Sequence, residues 1–233
     1  MLTGELPART ESSATFSSQV GRLGAAEWSE LLAQFDDASV YQTWAYGAIH
    51  WGRDQLTHVV LTRNGKAVAA AQVRVMTLPA IRKGIAYLRW GPLCRRRDEP
   101  FDADVLRHMP AALKQEFVAR RGLLLRVIPS TFESDPFAGP WKSTWAGLGL
   151  VRNEADHVYH TLRLDLTPPV DQLRKRLNQK WRNCLNSAER NGLTVTIGSD
   201  IGLYDKFLAA YQRMMARKQF DTTVDATVTD LAV

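Results

Sequence analysis

The chain has 233 residues, 45% of them hydrophobic, and a formal net charge of +6 at neutral pH. That is enough apolar material for one large or two modest folded domains, and it excludes wholesale disorder. The pI of about 9.5 favours anionic partners such as nucleic acid, phosphorylated metabolites or an acidic membrane face, although many basic enzymes carry such a charge for no specific reason. The two cysteines, Cys94 and Cys184, form no CxxC or Cys/His cluster, which argues against a structural zinc site. No apolar run is long enough to span a bilayer, and the polar start lacks the apolar core of a signal peptide. These features predict a soluble, cytoplasmic protein with membrane contact that is at most peripheral.

Residues 1–24 read as a loose leader. Trp28, Leu31, Leu32 and Phe35 fall at helical spacing and predict a first helix from Ala25 to Phe35. Gln42 to Trp51 reads as a second, short helix. A hairpin follows: Thr57–Arg63 and Ala67–Val75 flank Asn64-Gly65, a strong hairpin signal. Ile85–Trp90 is a third strand, closed by Gly91-Pro92, and Asp104 to Arg121 is a helix. Leu123–Ile128 is a fourth strand, and the Gly-, Pro- and Trp-rich stretch from Phe132 to Leu150 reads as a loop. His157–Leu166 is a fifth strand.

The most distinctive stretch runs from Pro168 to Gly192. It begins after a Pro-Pro pair and ends at Asn191-Gly192, residue types that start and stop helices. Leu173, Leu177, Trp181 and Leu185 recur every four residues and share one side. Arg174, Lys175, Arg176, Lys180, Arg182 and Arg190 stand against only Asp171 and Glu189. One or two basic helices of this kind lay one face on the protein and offer guanidinium groups to an anion with the other. A sixth strand, Leu193–Ile197, and a helix ending at Phe220 follow. The order predicts an α/β (α+β) fold, with helices packed on a mostly antiparallel sheet.

Several segments resemble the FemA/FemB/FemX aminoacyltransferases, which have an acetyltransferase-like (GNAT-type) fold. They are Tyr41–Gly47, Arg89-Trp-Gly-Pro-Leu93, Leu173–Gly192, Phe207–Tyr211 and Met214–Phe220. The resemblance implies a mixed sheet flanked by helices, with the start of a second such domain. Its division would be a leader over 1–24, a first domain over 25–166, a basic helical connector over 167–192 and an incomplete second domain over 193–233. It implies transfer of an amino acid or acyl group to an amine of a peptidoglycan-type precursor, nucleotide- or lipid-linked. Aminoacyl-tRNA or acyl-CoA would be the donor substrate, and no metal or resident cofactor is called for. An acetyl-CoA-dependent N-acyltransferase and a non-catalytic fragment that binds a polyanion are the alternatives. The loop that holds acetyl-CoA in ordinary acetyltransferases is not evident in this sequence.

The resemblance also points to residues. Arg182 is the best match for an arginine on the precursor's pyrophosphate, with Lys180 and Arg190 beside it; the alternative is a solvated charged face. His50 stands near a position where the family often carries a basic residue facing the cleft, or it is an ordinary surface or core histidine. Tyr46 and Gln42 are suited to hydrogen-bond a peptide or sugar, and equally to cap and pack their helix. Arg95-Arg96-Arg97 and Arg217-Lys218 read as a solvated loop and a helix end. His157 and His160 alternate across a strand and make a poor metal pair.

Overall fold

The computed structural model describes residues 15–78, 83–153 and 164–219. The chain divides after Arg152 into two compact units. The first is built on a five-stranded sheet in the order β1-β2-β3-β4-β5: β1 Phe16–Gly21, β2 Leu56–Arg63, β3 Lys66–Leu78, β4 Lys83–Arg89 and β5 Leu124–Ile128. Neighbours are antiparallel except β4 and β5, which run parallel. Its helices are α1 Ala25–Leu32, α2 Trp44–Trp51, α3 Ala103–Leu113 and α4 Ala138–Gly147, and α3 continues in a wider winding over Lys114–Arg120. The mixed sheet flanked by helices is the fold class expected from the sequence.

Alternation sorts the strands into two buried faces. On one side Val59, Leu61, Val73, Leu88 and Leu125 meet Val105, Met109, Leu113 and Phe117 of the α3 segment, with Trp141 of α4. On the other, Trp28 of α1 packs with Phe35, Ala70 and Leu93, while Ala48 and Trp51 of α2 pack on Leu56. The β2–β3 turn has Asn64 at φ 51° and Gly65 at φ 82°, the left-handed pair that a two-residue hairpin requires. In α2, a Cβ at Gly47 would lie 2.6 Å from Gln72 Nε2 and 2.8 Å from Leu56 Cδ2. Only glycine lets this helix sit so close to β3.

The sequence expectations need three corrections, and a fourth expectation lies mostly outside the described residues. Phe16–Gly21 is not leader but the edge strand β1; Ser17 and Gln19 alternate onto one exposed polar face, as suits a strand at the edge of a sheet. Ala138–Gly147 is a helix, not loop; its Pro140 lies in the first turn, where no backbone N–H is needed. Leu193–Ile197 is not in a strand, and Leu193, Val195 and Ile197 are exposed. A strand needs a partner, and none pairs with this segment among the described residues. The strand expected over His157–Leu166 lies outside the described residues up to residue 163, and Leu164–Leu166 is in no strand.

The second unit contains α5 Val170–Arg176, α6 Gln179–Arg190 and α7 Ile201–Lys218. The basic stretch is two helices, broken at Leu177 (ψ 139°). The Asn178 side chain then caps α6 by accepting from Lys180 N at 2.9 Å.

One side chain sets the shape of the sheet. The β3–β4 ladder ends at the Val73–Leu88 pair. At the next position the Gln42 amide stands in for a strand residue. Its Oε1 accepts from Gln72 N at 2.8 Å, and its Nε2 donates to Gln72 O at 3.2 Å and Arg89 O at 2.8 Å. Beyond it the chain rejoins β3 through two bonds between Leu93 and Ala70. Trp90, Gly91 and Pro92 are thereby pushed out as a bulge. Gln42 is 0% exposed, so Gln42→Leu takes the side-chain partner from the buried N–H and carbonyl of Gln72 and from the part-buried carbonyl of Arg89. The variant is expected to lose on the order of 3 kcal/mol of stability, read from urea unfolding. An unchanged midpoint would mean that the wedge is not needed.

Candidate functional site

The bulge carries the most unusual group of side chains in the first unit. Arg89 ends β4, and Trp90 follows it at φ 54°, a left-handed conformation that a bulky side chain rarely adopts and that concentrates at functional sites. The Arg89 guanidinium lies 4.4 Å from the ring centre of Tyr41 and 5.9 Å from that of Tyr46. Its Nη1 donates to Tyr46 Oη at 2.7 Å. Its Nε–H is shut off from water and has no hydrogen-bond partner. Tyr41 stacks on Trp90 at 5.8 Å and meets Tyr46 edge-on at 5.1 Å. The exposed His50 ring lies 4.3 Å from Tyr46. The buried Trp51 and the half-buried Tyr87 extend the aromatic cluster, and Arg126 of β5 lies over Tyr87 at 5.5 Å.

The local sequence explains the arrangement. Thr43 caps α2 by accepting from Tyr46 N at 3.2 Å, and one helical turn brings Tyr46 and His50 to the same side. Tyr87 and Arg89 alternate onto one face of β4, and the parallel register sets Arg126 opposite Tyr87. The result is a fixed cation with planar faces around it. Such a group suits an anion or a polarised carbonyl oxygen carried by a flat or sugar-like moiety.

A buried polar chain holds α2 in place. Leu23 N donates to His58 Nδ1 at 3.0 Å, so His58 carries its proton on Nε2 and donates to Gln72 Oε1 at 3.1 Å. Gln72 Nε2 donates to Thr43 O at 2.9 Å. Burial lowers the His58 pKa and keeps the ring neutral, against a smaller opposing effect of the Gln72 hydrogen bond. Near the other end of the bulge, Asp37 accepts from Cys94 N at 2.9 Å and Arg95 N at 3.3 Å. Burial raises the Asp37 pKa and pushes the Cys94 thiol well above its ordinary value.

The six residues singled out from the sequence separate into two groups. Tyr46 and His50 come together at the bulge. Gln42 lies beneath them, but with its amide wholly engaged by backbone, so it shapes the site and does not face a ligand. Arg89 and Tyr41 are the members that residue-by-residue reading missed; both stand inside segments that the family resemblance had marked.

Lys180, Arg182 and Arg190 belong to the second unit. Arg182 Nη2 donates to Lys175 O and Leu177 O, both at 2.9 Å. It therefore closes the end of α5, a role in the fold rather than a free phosphate fork. Arg174 grips Glu189 with both Nη atoms, at 2.8 and 2.6 Å, and also donates to Asn186. Lys180 and Arg190 are exposed, and Arg190 lines an open groove with Arg174, Asn183, Asn186 and Glu189. Among the described residues no helix is long and apolar enough to cross a membrane.

No protein-family profile and no curated protein sequence matches the chain. Among solved structures, that of FemX superposes with a TM-score of 0.66 at 15% identity, covering 90% of this chain and 52% of FemX. A possible acetyltransferase from Clostridium difficile 630 covers 63% of this chain and 99% of its own, with a TM-score of 0.42 at 9% identity. The chain thus spans about half the length of FemX and shares its fold over nine-tenths of its own.

Two predictions follow from the local chemistry. Because the folded protein holds His58 below the ordinary histidine pKa of about 6.5, the unfolded chain takes up the proton first as pH falls. Stability is full above about pH 6.5 and declines below it. Urea midpoints measured across that range should show the decline, and His58→Gln should lack it. Separately, Arg182→Ala should speed amide exchange in the last turn of α5 and cost about 1 kcal/mol. Unchanged exchange would remove Arg182 from the cap.

Proposed function

We propose that the chain is part of an acyl- or aminoacyltransferase that acts on an amine of a cell-envelope precursor, with the Arg89 bulge as its acceptor-binding site. One observation carries this reading. Two segments far apart in sequence that resemble the FemA/FemB/FemX family, Tyr41–Gly47 and Arg89–Leu93, meet at one place in a chain with the FemX fold. On this reading the half-buried Arg89 guanidinium, which no carboxylate neutralises among the described residues, offers its charge to a phosphate or carboxylate of the precursor. Tyr41, Tyr46 and Trp90 supply flat surfaces for its sugar or base, and His50 lies at the rim. Acyl transfer of this kind rests on positioning an amine against an activated carbonyl. Lys180 and Arg190 remain available to a polyanion, whether precursor or tRNA. We place the first domain from β1 rather than from residue 25, the connector over 167–192, and the start of a second domain after it.

A thermal-shift panel on the purified chain tests the assignment, using a UDP-linked muramyl-pentapeptide, acetyl-CoA, CoA and total tRNA. Ligand at about a hundred times its dissociation constant stabilises by about 2.7 kcal/mol. The precursor is expected to raise the melting temperature, and Arg89→Ala to weaken that binding by about 1–3 kcal/mol. A response to CoA alone would favour the N-acetyltransferase reading, and a response to tRNA alone the polyanion-binding one. Precursor binding that Arg89→Ala leaves intact would remove the bulge from the site.

A further inference from the structure

The α5–α6 pair presents a surface that the acceptor site does not use. Trp181, Cys184, Leu185 and Ala188 lie at positions i, i+3, i+4 and i+7 of α6, so they share one arc of the helix. α5 leaves that arc open. It is tied to α6 through Arg174 on Glu189 and Asn186, and through Arg182 on the carbonyls of Lys175 and Leu177. Trp181 is 70% exposed and Leu185 37% exposed, and the Cys184 thiol is free and exposed.

Lys180 flanks the arc on α6, and Lys175 and Arg176, exposed in the last turn of α5, add positive charge to the helix pair, with Asp165 near Arg176. The acid of α6, Glu189, is held by Arg174. A short helix with a narrow apolar arc, a strongly polar remainder and cations at its borders matches the pattern that lies in the plane of a lipid surface. Tryptophan is favoured at headgroup level, and lysine stems reach from there to phosphate. A nucleic-acid surface would place cations across the contact face itself and has no use for an exposed leucine.

We infer that the apolar arc of α6 docks the protein on an anionic lipid surface, with Trp181 and Leu185 entering the headgroup region and Lys175, Arg176 and Lys180 meeting lipid phosphates. This rests on α5 and α6 alone and is independent of the acceptor site at Arg89.

Because Cys94 is buried and Cys184 exposed, a thiol-reactive, polarity-sensitive dye can be placed on Cys184 of the full chain. The labelled protein is titrated with vesicles of phosphatidylglycerol and phosphatidylcholine, and with phosphatidylcholine alone. Co-sedimentation of unlabelled protein is measured in parallel. The expected result is a blue shift and sedimentation with the anionic vesicles only. Paired Trp181→Gln and Leu185→Gln changes should weaken binding about tenfold or more. Raising salt from about 0.1 to 0.5 M should weaken it as well. Circular dichroism checks that the double variant is folded; if it melts early, Lys180→Glu serves as the second test and should also reduce binding. The inference is overturned if anionic vesicles do not bind, or if both variants bind as the parent does. It is also overturned if the dye is already shielded from a soluble quencher before vesicles are added. A dye response to total tRNA with none to vesicles would assign the face to nucleic acid instead.

Discussion

The first unit depends on the Gln42 side chain standing where a strand residue would stand. Two strands that pair along their length have no reason to part, because every backbone group left unpaired in the interior costs free energy. Gln42 removes that cost at one position by giving Gln72 and Arg89 the hydrogen bonds they would have given each other. β4 can then leave β3 for three residues without stranding the backbone groups at the point of departure. The Gln42 backbone carbonyl accepts from Trp28 Nε1 at 2.7 Å, so the wedge residue is anchored from α1 as well as from the sheet. The opening in the sheet and the placement of α2 are consequences of a single amide.

Arg89 differs from several other arginines of the chain. Arg63 is paired with Asp102, Arg96 with Glu99 and Arg174 with Glu189. Among the described residues, Arg89 makes no ion pair; tyrosine faces and one phenol surround it. An aromatic face partly compensates the cost of burying a cation without cancelling its charge. The field of Arg89 therefore remains available to an incoming anion, whereas a carboxylate partner would have to be displaced first. The strained backbone at Trp90 lies next to this charge. Both are departures from what stability alone would select, and they occur together.

Most of the sheet could be read from the sequence because its signals are local. Asn64-Gly65 marks the hairpin, and alternation in β2, β3 and β4 marks which side chains are buried. The missed elements are those whose cause is not local. Phe16–Gly21 is strand only because β2 offers it an edge, and its composition alone reads as polar leader. Ala138–Gly147 contains residues that usually break helices, and its helical state depends on burying Trp141 against the main core. Of the candidate site, the family pattern suggests His50, and Tyr46 is suggested by its capacity to hydrogen-bond a peptide or sugar. The roles of Gln42 and Arg182 were not, because each is decided by carbonyl groups that come close only once the chain is folded. A glutamine and an arginine look alike in sequence whether they face solvent or bind backbone.

The order of strands in space is the same as their order along the chain. β2, β3 and β4 are joined as successive hairpins, so each can pair with the strand made just before it. Only β1 and β5 are joined to their neighbours through helices. Contacts that are close in sequence cost little loop entropy and form early. During synthesis at the ribosome, the central three strands can therefore assemble as soon as they emerge, before β5 has been made. The parallel strand arrives last, through the α3 crossover, and closes the edge beside Arg89. The surroundings of Arg89 are thus completed only when the last strand is made, on three strands that already stand, and α4 follows to cover the core.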